Sequence, residues 1–485
     1  MSKRRLSRCF PCLIPAAEIN HTRTNGTVEQ QTSVSFDLMK RAVIEALKEQ
    51  PTTTTPKPEN STVVLRNRKK LTIIPNTEVK LRVDKKQTRI DATFREQRDA
   101  IVANKDLSNA VNQWSTVGTK EELVEKIQTC GTNDLEKAWL LFCWIGKNIR
   151  YDLQCKNNAG ESVFRERVGV CRGFVSLYHE CCSLLSIECF EISGYAKQAF
   201  LKSGENLQTS PHAWNAIVLD QYTYLLDPTW GAGGGDGTNE LEDFYFLTSP
   251  EEFVYTHFCT GHQLLDPEIN KEDFLSLPVM KSTYYRLKLN LLSPKQGFNQ
   301  TSENLFQIAV RLPDDVDVFA LLKIGDIEYP RNLHTLCQRD ANTADVVNCF
   351  IAPPADGLYE VAIFARTTNE TSYRDAIYMR LHVVNIVGSI TFPLTYQPFK
   401  EYRCILIEPF DRLIQENDRV VIRMRIPGAN VIKIRHGEDY IVPNKDEYKN
   451  GVLMKEILVQ GDITICARWD DNADAISTVC VFNMI

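Results

Sequence analysis

The sequence of 485 residues predicts an α+β unit followed by two β-sandwich domains. Three observations predict it. VGVCRGFVSLYHECCSLLSI (168–187) carries apolar residues at helical spacing, and three strand-like runs follow: CFEISGYAK (189–197), AWNAIVLD (213–220) and YTYLLDPTW (222–230). A helix followed by antiparallel strands is an α+β order. Beyond about 281, short β-rich runs alternate with turn residues and helical periodicity disappears. Finally, LLSPKQGFNQTSENLFQIAVRLP (291–313) parallels LIEPFDRLIQENDRVVIRMRIP (406–427), with prolines offset by 115 and 114 residues. A repeat of about 100 residues built of short strands has the scale of a β-sandwich.

In chain order, residues 1–60 read as a disordered tail and linker, ending in the Pro/Thr-rich PTTTTPKPEN (51–60). Within it, SFDLMKRAVIEALKEQ (35–50) has helical spacing, with Ser35 as its N-cap. Residues 61–280 form the α+β core, opened by a basic, β-branched arm at 63–83. LEKAWLLFCWIGKNI (135–149) is a helix with an acidic start and a Lys near its end, matching the helix dipole. Asp220-Gln221 is a tight connection between two strands, and GAGGGDG (231–237) is a loop. The sandwiches are placed at 281–390 and 391–485.

Composition narrows the function classes. The hydrophobic fraction is 43% and the charged fraction 24%, usual for a globular chain. Basic and acidic residues number 56 and 62, a net of −6, which gives no global attraction to nucleic acid. No apolar run reaches the roughly 18 residues of a membrane-spanning helix. Fifteen cysteines scatter without zinc-finger spacing, so they read mainly as packing thiols in a reducing cytoplasm.

One cysteine stands apart. Thiol catalysis needs a thiolate, a base and a group that orients the base. Cys171 begins a helix, where the dipole and free N–H groups favour a thiolate and an oxyanion. His212 precedes a strand, and Asp227 closes the next one. A hairpin through Asp220-Gln221 brings the two together, so that Asp227 holds the imidazole in its useful tautomer. Spacing alone leaves the plainer reading ahead: a packing thiol, a loop histidine and a turn-forming aspartate before Pro228.

The motifs are more specific. Gly169-Val170-Cys171-Arg172-Gly173-Phe174, Ser193-Gly194-Tyr195, His212-Ala213-Trp214-Asn215 and Asp227-Pro228-Thr229-Trp230-Gly231 closely resemble the transglutaminase-like superfamily. Trp144-Ile145 with Asn148-Ile149-Arg150-Tyr151-Asp152 resembles the helix before that core. Thr256-His257-Phe258, Gln263-Leu264-Leu265 and Leu277-Pro278 resemble the kyphoscoliosis peptidase branch, with Cys259 where related sequences tend to have Pro. The resemblance implies a papain-like core followed by two immunoglobulin-like β-sandwiches. It implies a nucleophile at Cys171, a base at His212 and an orienting acid at Asp227. It implies a thiol-dependent hydrolase or acyl transferase acting on protein substrates, peptidase ahead of glutamine–amine crosslinking. The alternative is a catalytically silent scaffold binding cytoskeletal or membrane-associated protein.

No cofactor or metal is expected. Asp236, Glu240, Glu242 and Asp243 lack EF-hand spacing, and Cys181 and Cys182 have no ligand set around them. Gln154 is a second oxyanion donor by residue type only, while Trp214 and Trp230 either wall the cleft or fill the core. Cys9 and Cys12 beside Lys3, Arg4, Arg5 and Arg8 suit S-acylation backed by basic charge, hence peripheral membrane contact; an unmodified tail is the plainer reading. Location is expected to be cytoplasmic, with membrane or cytoskeletal association.

Overall fold

The computed structural model describes residues 79–197, 209–233, 240–470 and 476–485. The helix expected at 35–50, the tail with Cys9 and Cys12, and most of the 63–83 arm lie outside these. Of the arm, Val83 makes one antiparallel bridge to Leu265.

Helices dominate the start of the core: α1 (Ala92–Ala103), α2 (Lys105–Asn112), α3 (Lys120–Cys130) and α4 (Asp134–Asn148). Each begins at a polar N-cap whose side-chain oxygen accepts a first-turn N–H: Asp91, Asn104, Thr119 and Asn133. Every residue of α4 from Ala138 to Gly146 is buried. A helix apolar all round has to sit inside the core rather than on its surface. Its Trp144 indole donates to Trp114 O at 3.0 Å, and Arg167 lies 4.4 Å over the Trp144 ring.

A parallel pair, β1 (Arg150–Tyr151) and β2 (Val168–Gly169), flanks the short helix α5 (Gly160–Glu166). From β2 the chain enters α6 (Cys171–Leu184), which the sequence anticipated from its first residue. The Tyr178 hydroxyl donates to Ala138 O at 3.1 Å and fastens α6 to α4. Then come β3 (Cys189–Lys197), β4 (Thr209–Leu219) and β5 (Tyr222–Leu226). With β6 (His257–Phe258) they form an antiparallel sheet in the order β5–β4–β3–β6. Asp220 and Gln221 have φ of 49° and 71°, the left-handed pair of a two-residue hairpin.

Two strand expectations need correction. The strand at 222–230 ends at Leu226, because Asp227 N-caps the helical turn α7 (Pro228–Gly231). Pro at the first helical position favours that turn. His212 lies within β4 rather than before it.

The region beyond is two-layered twice over. One sheet runs Thr335–Arg339, Val346–Ile351, Phe306–Arg311, Asn290–Ser293. It faces Ile327–Glu328, Val316–Ile324, Gly357–Thr367, Arg374–Val383 and Val279–Met280, around a core that includes Leu291, Ile308, Leu322, Tyr359 and Leu381. The second pair is Leu394–Thr395, Ser477–Met484, Ile463–Arg468, Val431–His436, Asp439–Ile441 against Ile405–Glu408, Arg419–Arg425, Val452–Leu458, Tyr448–Lys449. Pro294 and Pro409, matched in the repeat, each follow a cis bond at the end of a strand. The Gln338 amide donates to Leu406 O and accepts from Leu406 N (2.8 and 2.9 Å), copying a strand's hydrogen bonds between the two sandwiches. The core meets the first sandwich through Arg374–Glu240 (2.8 Å) and the Phe244–Tyr285 stack (4.7 Å).

Lys197, at the end of β3, is fully buried; its Nζ donates to Leu277 O at 2.7 Å and sits 4.3 Å over Phe274. Burial holds its pKa well below the usual 10.5. A depressed folded pKa means stability is fully present above 10.5 and is lost progressively as pH falls from 10.5 to the folded value, because in that window only the unfolded chain binds the proton. In urea unfolding at pH 7 and pH 9.5, the wild type is therefore expected to gain stability relative to Lys197→Met at the higher pH. A parallel response of the two proteins would refute this.

Candidate active site

β3 is the strand from which the site is organised. It pairs with β4 so that Gly194 faces His212, and with β6 so that Ala196 faces His257. A Cβ on Gly194 would fall 2.3 Å from Phe258 O and 2.5 Å from the Trp214 ring. Only glycine lets the backbone of β6 and the indole approach this closely. On the next strand position after Trp214, the buried Asn215 amide donates to Val175 O at 3.2 Å. That bond ties α6, and with it Cys171, to the strand that carries His212.

The three residues singled out in the sequence converge. His212 Nε2 lies 2.7 Å from Asp227 Oδ2, and His212 is close enough to Cys171 to lower the pKa of its thiol. With Nε2 directed to the carboxylate, Nδ1 is the nitrogen left for the thiol. The backbone N–H of Ala213 also favours the Cys171 thiolate. Cys171 is half-buried at the start of α6, whose Val170 N-cap supplies no side-chain acceptor; the Gly173 N–H is taken by Val170 O at 2.7 Å, which leaves the N–H groups of Cys171 and Arg172 for other partners. Gln154 is exposed in the turn after β1, its backbone N–H bonded to Asp152.

A fourth residue joins them. His257 Nε2 lies 3.1 Å from the same Asp227 Oδ2, and its Nδ1 is 2.9 Å from the Thr256 hydroxyl. Asp227 Oδ1 accepts the N–H groups of Thr229 and Trp230, at 2.8 and 3.1 Å. The carboxylate thus has four donors and is fully buried. His257 belongs to a motif quoted above for resemblance, but no sequence signal assigned it a role, since thirty residues separate it from Asp227. Trp214 and Trp230 surround the histidines: Trp230 is 5.6 Å from His212 and 4.6 Å from His257, and the Trp214 edge is 5.2 Å from His257. Phe253 stacks on His257 at 4.0 Å. Cys259, in the position where related sequences tend to have Pro, is buried, and burial pushes its thiol up to about 12.

The electrostatics separate the groups. Burial opposes the thiolate of Cys171, but the hydrogen bond and charge of His212 outweigh it and bring the pKa below the usual 9.0. Burial also opposes charge on His212, yet Asp227 raises it to about 9. Asp227 lies well below the usual carboxylate range because His212 and His257 overcome its desolvation. His257 is driven down to about 4, mainly by burial. At neutral pH His212 is an imidazolium whose charge favours the Cys171 thiolate, and the second histidine beside it is neutral. His212, Asp227 and His257 also form a set that could ligate a metal, their donor atoms within 4.8 Å of one another. Each of the three is already hydrogen-bonded to another member of the set. Most of the other described cysteines are buried, and all thirteen among the described residues are unpaired by disulfides.

The chain is similar to known proteins over both its core and the region that follows. Residues 121–227 match the transglutaminase-like superfamily, and residues 271–394 match the KY-like, immunoglobulin-like domain. Kyphoscoliosis peptidase of Mus musculus is 26% identical over 358 residues, covering 69% of this chain and 52% of that protein. Hillarin of Drosophila melanogaster is 27% identical over 227 residues, 42% of this chain and 28% of that one. Cytokinesis protein 3 of Schizosaccharomyces pombe is 26% identical over 236 residues, 45% and 25% of the two chains. The chain spans about half the length of the kyphoscoliosis peptidases it matches. It carries a transglutaminase-like core followed by an immunoglobulin-like region.

Asp227→Asn tests the charge relation. The amide carries no charge to stabilise an imidazolium, so the His212 pKa is expected to drop from about 9 by at least about one unit. Histidine side-chain NMR titration measures it, and an unchanged midpoint would contradict the arrangement. Removing the charge of a buried pair also costs about 3 kcal/mol at pH 7.

Proposed function

We propose that this chain is a thiol-dependent hydrolase or acyl transferase acting on protein substrates, with peptide hydrolysis favoured. The observation that carries the proposal is the linked set Cys171–His212–Asp227 with Cys171 at the head of a buried helix. In this reading the Cys171 thiolate attacks a carbonyl carbon. The oxyanion forms beside the first N–H groups of α6. His212, protonated on Nδ1, gives that proton to the departing amine and leaves a thioester on Cys171. Water, activated by the now neutral His212, hydrolyses the thioester; an amine in place of water gives transfer. Asp227 keeps His212 oriented and stabilises its charged form whenever it holds the proton. The name kyphoscoliosis peptidase, borne by the relatives in mouse and man, favours hydrolysis.

A scaffold that binds cytoskeletal protein is the second reading, favoured by relatives named for cytokinesis. Cytoplasmic location accords with both readings. Among the described residues no helix is long and apolar enough to cross a membrane.

At pH 6, iodoacetamide is expected to label Cys171 at least about tenfold faster than any other cysteine, and His212→Ala abolishes the preference. Labelling of Cys171 at the rate of the others removes the enzyme reading. A glutamine-bearing peptide supplied with an amine probe then separates probe incorporation (transfer) from chain cleavage (hydrolysis). Acylation of Cys9 and Cys12 would add a membrane contact backed by the adjacent basic residues. Membrane fractionation of the Cys9→Ser/Cys12→Ser protein checks it: loss from the pellet is expected, and an unchanged distribution rejects the anchor.

A further inference from the structure

Asp227 serves two histidines, and the proposed chemistry uses only one. An ionised carboxylate only accepts hydrogen bonds, so His257 Nε2, at 3.1 Å from Oδ2, must carry the proton. In the neutral ring Nδ1 is then bare and accepts the Thr256 hydroxyl at 2.9 Å. That hydroxyl also lies 3.3 Å from Phe253 O, but its single proton belongs to the shorter contact. The tautomer of His257 is therefore set from both sides. Its plane is set as well, by Phe253 stacked on one face at 4.0 Å and 13° and by the edge of Trp214. The charged and titratable groups around the ring are Asp227, His212, the Tyr245 phenol with its ring 6.1 Å away, and Lys281, whose Nζ lies 5.0 Å over Trp230. Lys281 and the His212 imidazolium both oppose a proton on Nδ1. None of these groups turns His257 into a base facing Cys171.

We propose that His257, fixed by Thr256, is a positioning residue: its Nε2–H pins Asp227 Oδ2 at the place where His212 Nε2 needs it. The proposal rests on the Cys171–His212–Asp227 reading and extends it to a chain of five groups, Thr256, His257, Asp227, His212 and Cys171. The backbone N–H groups of Thr229 and Trp230 hold only Oδ1. With His257 gone, the carboxylate would pivot about that oxygen, and the imidazolium that sustains the thiolate would lose its fixed partner.

The test is the rate of iodoacetamide labelling of Cys171 in the full chain across pH 4–9, in proteins whose circular dichroism matches the wild type. His257→Phe keeps the stack on Phe253 and removes the donor. His257→Gln keeps an N–H donor and removes the ring. Thr256→Val keeps the shape and frees Nδ1. The Phe variant is expected to label Cys171 about tenfold more slowly at pH 6, with the acid limb moved toward that of an ordinary thiol. Gln restores most of the rate, and Thr256→Val falls between. A merely structural ring predicts the reverse order, with Phe near wild type and Gln slow, and that result overturns the proposal. So do unchanged profiles in all three. If the Phe variant does not fold, Thr256→Val decides by the same criterion. Absence of fast Cys171 labelling in the wild type would instead reject the thiol chemistry itself.

Discussion

Asp227 is fully buried and ionised, and a carboxylate in that position persists only if donors replace the water it has lost. Four do so, and they come from three different constraints. Two are the first N–H groups of α7, free because they open a helical turn. The third is His212, brought by the β4–β5 hairpin. The fourth is His257, brought by β6 on the far side of β3. Remove any of these and the remaining charge is under-compensated in a low-dielectric interior, where electrostatic terms are largest. The proton on His212, and through it the state of Cys171, depends on this one carboxylate.

The rest of the core serves that arrangement by preventing motion. Asn215 fastens α6 to β4, and Tyr178 fastens α6 to α4. Trp214, Trp230, Phe253 and Tyr245 enclose the imidazoles and exclude water, which strengthens every hydrogen bond among them. Gly194 and Gly231 are where close packing leaves no room for a side chain; a Cβ on Gly231 would fall 2.1 Å from the Phe142 ring. The sandwiches contribute no residue to the set around Asp227. The nearest approach on that side is Lys281, which lies over Trp230 just before the first sandwich helix Ser282–Arg286.

Much of this was legible in the residue order because it depends on local rules. Apolar spacing and a flanking Gly marked the start of α6 at Cys171. The tight connection at Asp220-Gln221 was legible as such, and the structure closes it with a positive-φ pair. The Pro294 and Pro409 offset marked two similar β units. What local rules misjudged was also local in cause. Asp227 was read as the end of a strand, yet Asp before Pro is an N-cap signal as well, and the two N–H groups of α7 decided between them.

The sequence by itself determined which residue types are available and in what order: a thiol at a helix start, an imidazole next to a strand and a carboxylate one hairpin later. Periodicity, caps and turn chemistry suffice for that, because each acts over a few residues. Only the tertiary structure decided that a second histidine shares the carboxylate. His257 reaches Asp227 because β6 adds to the edge of β3 and Gly194 lets its backbone come close. Such a convergence depends on sheet order and on what burial leaves unsatisfied, and neither quantity is written in the spacing of residues along the chain.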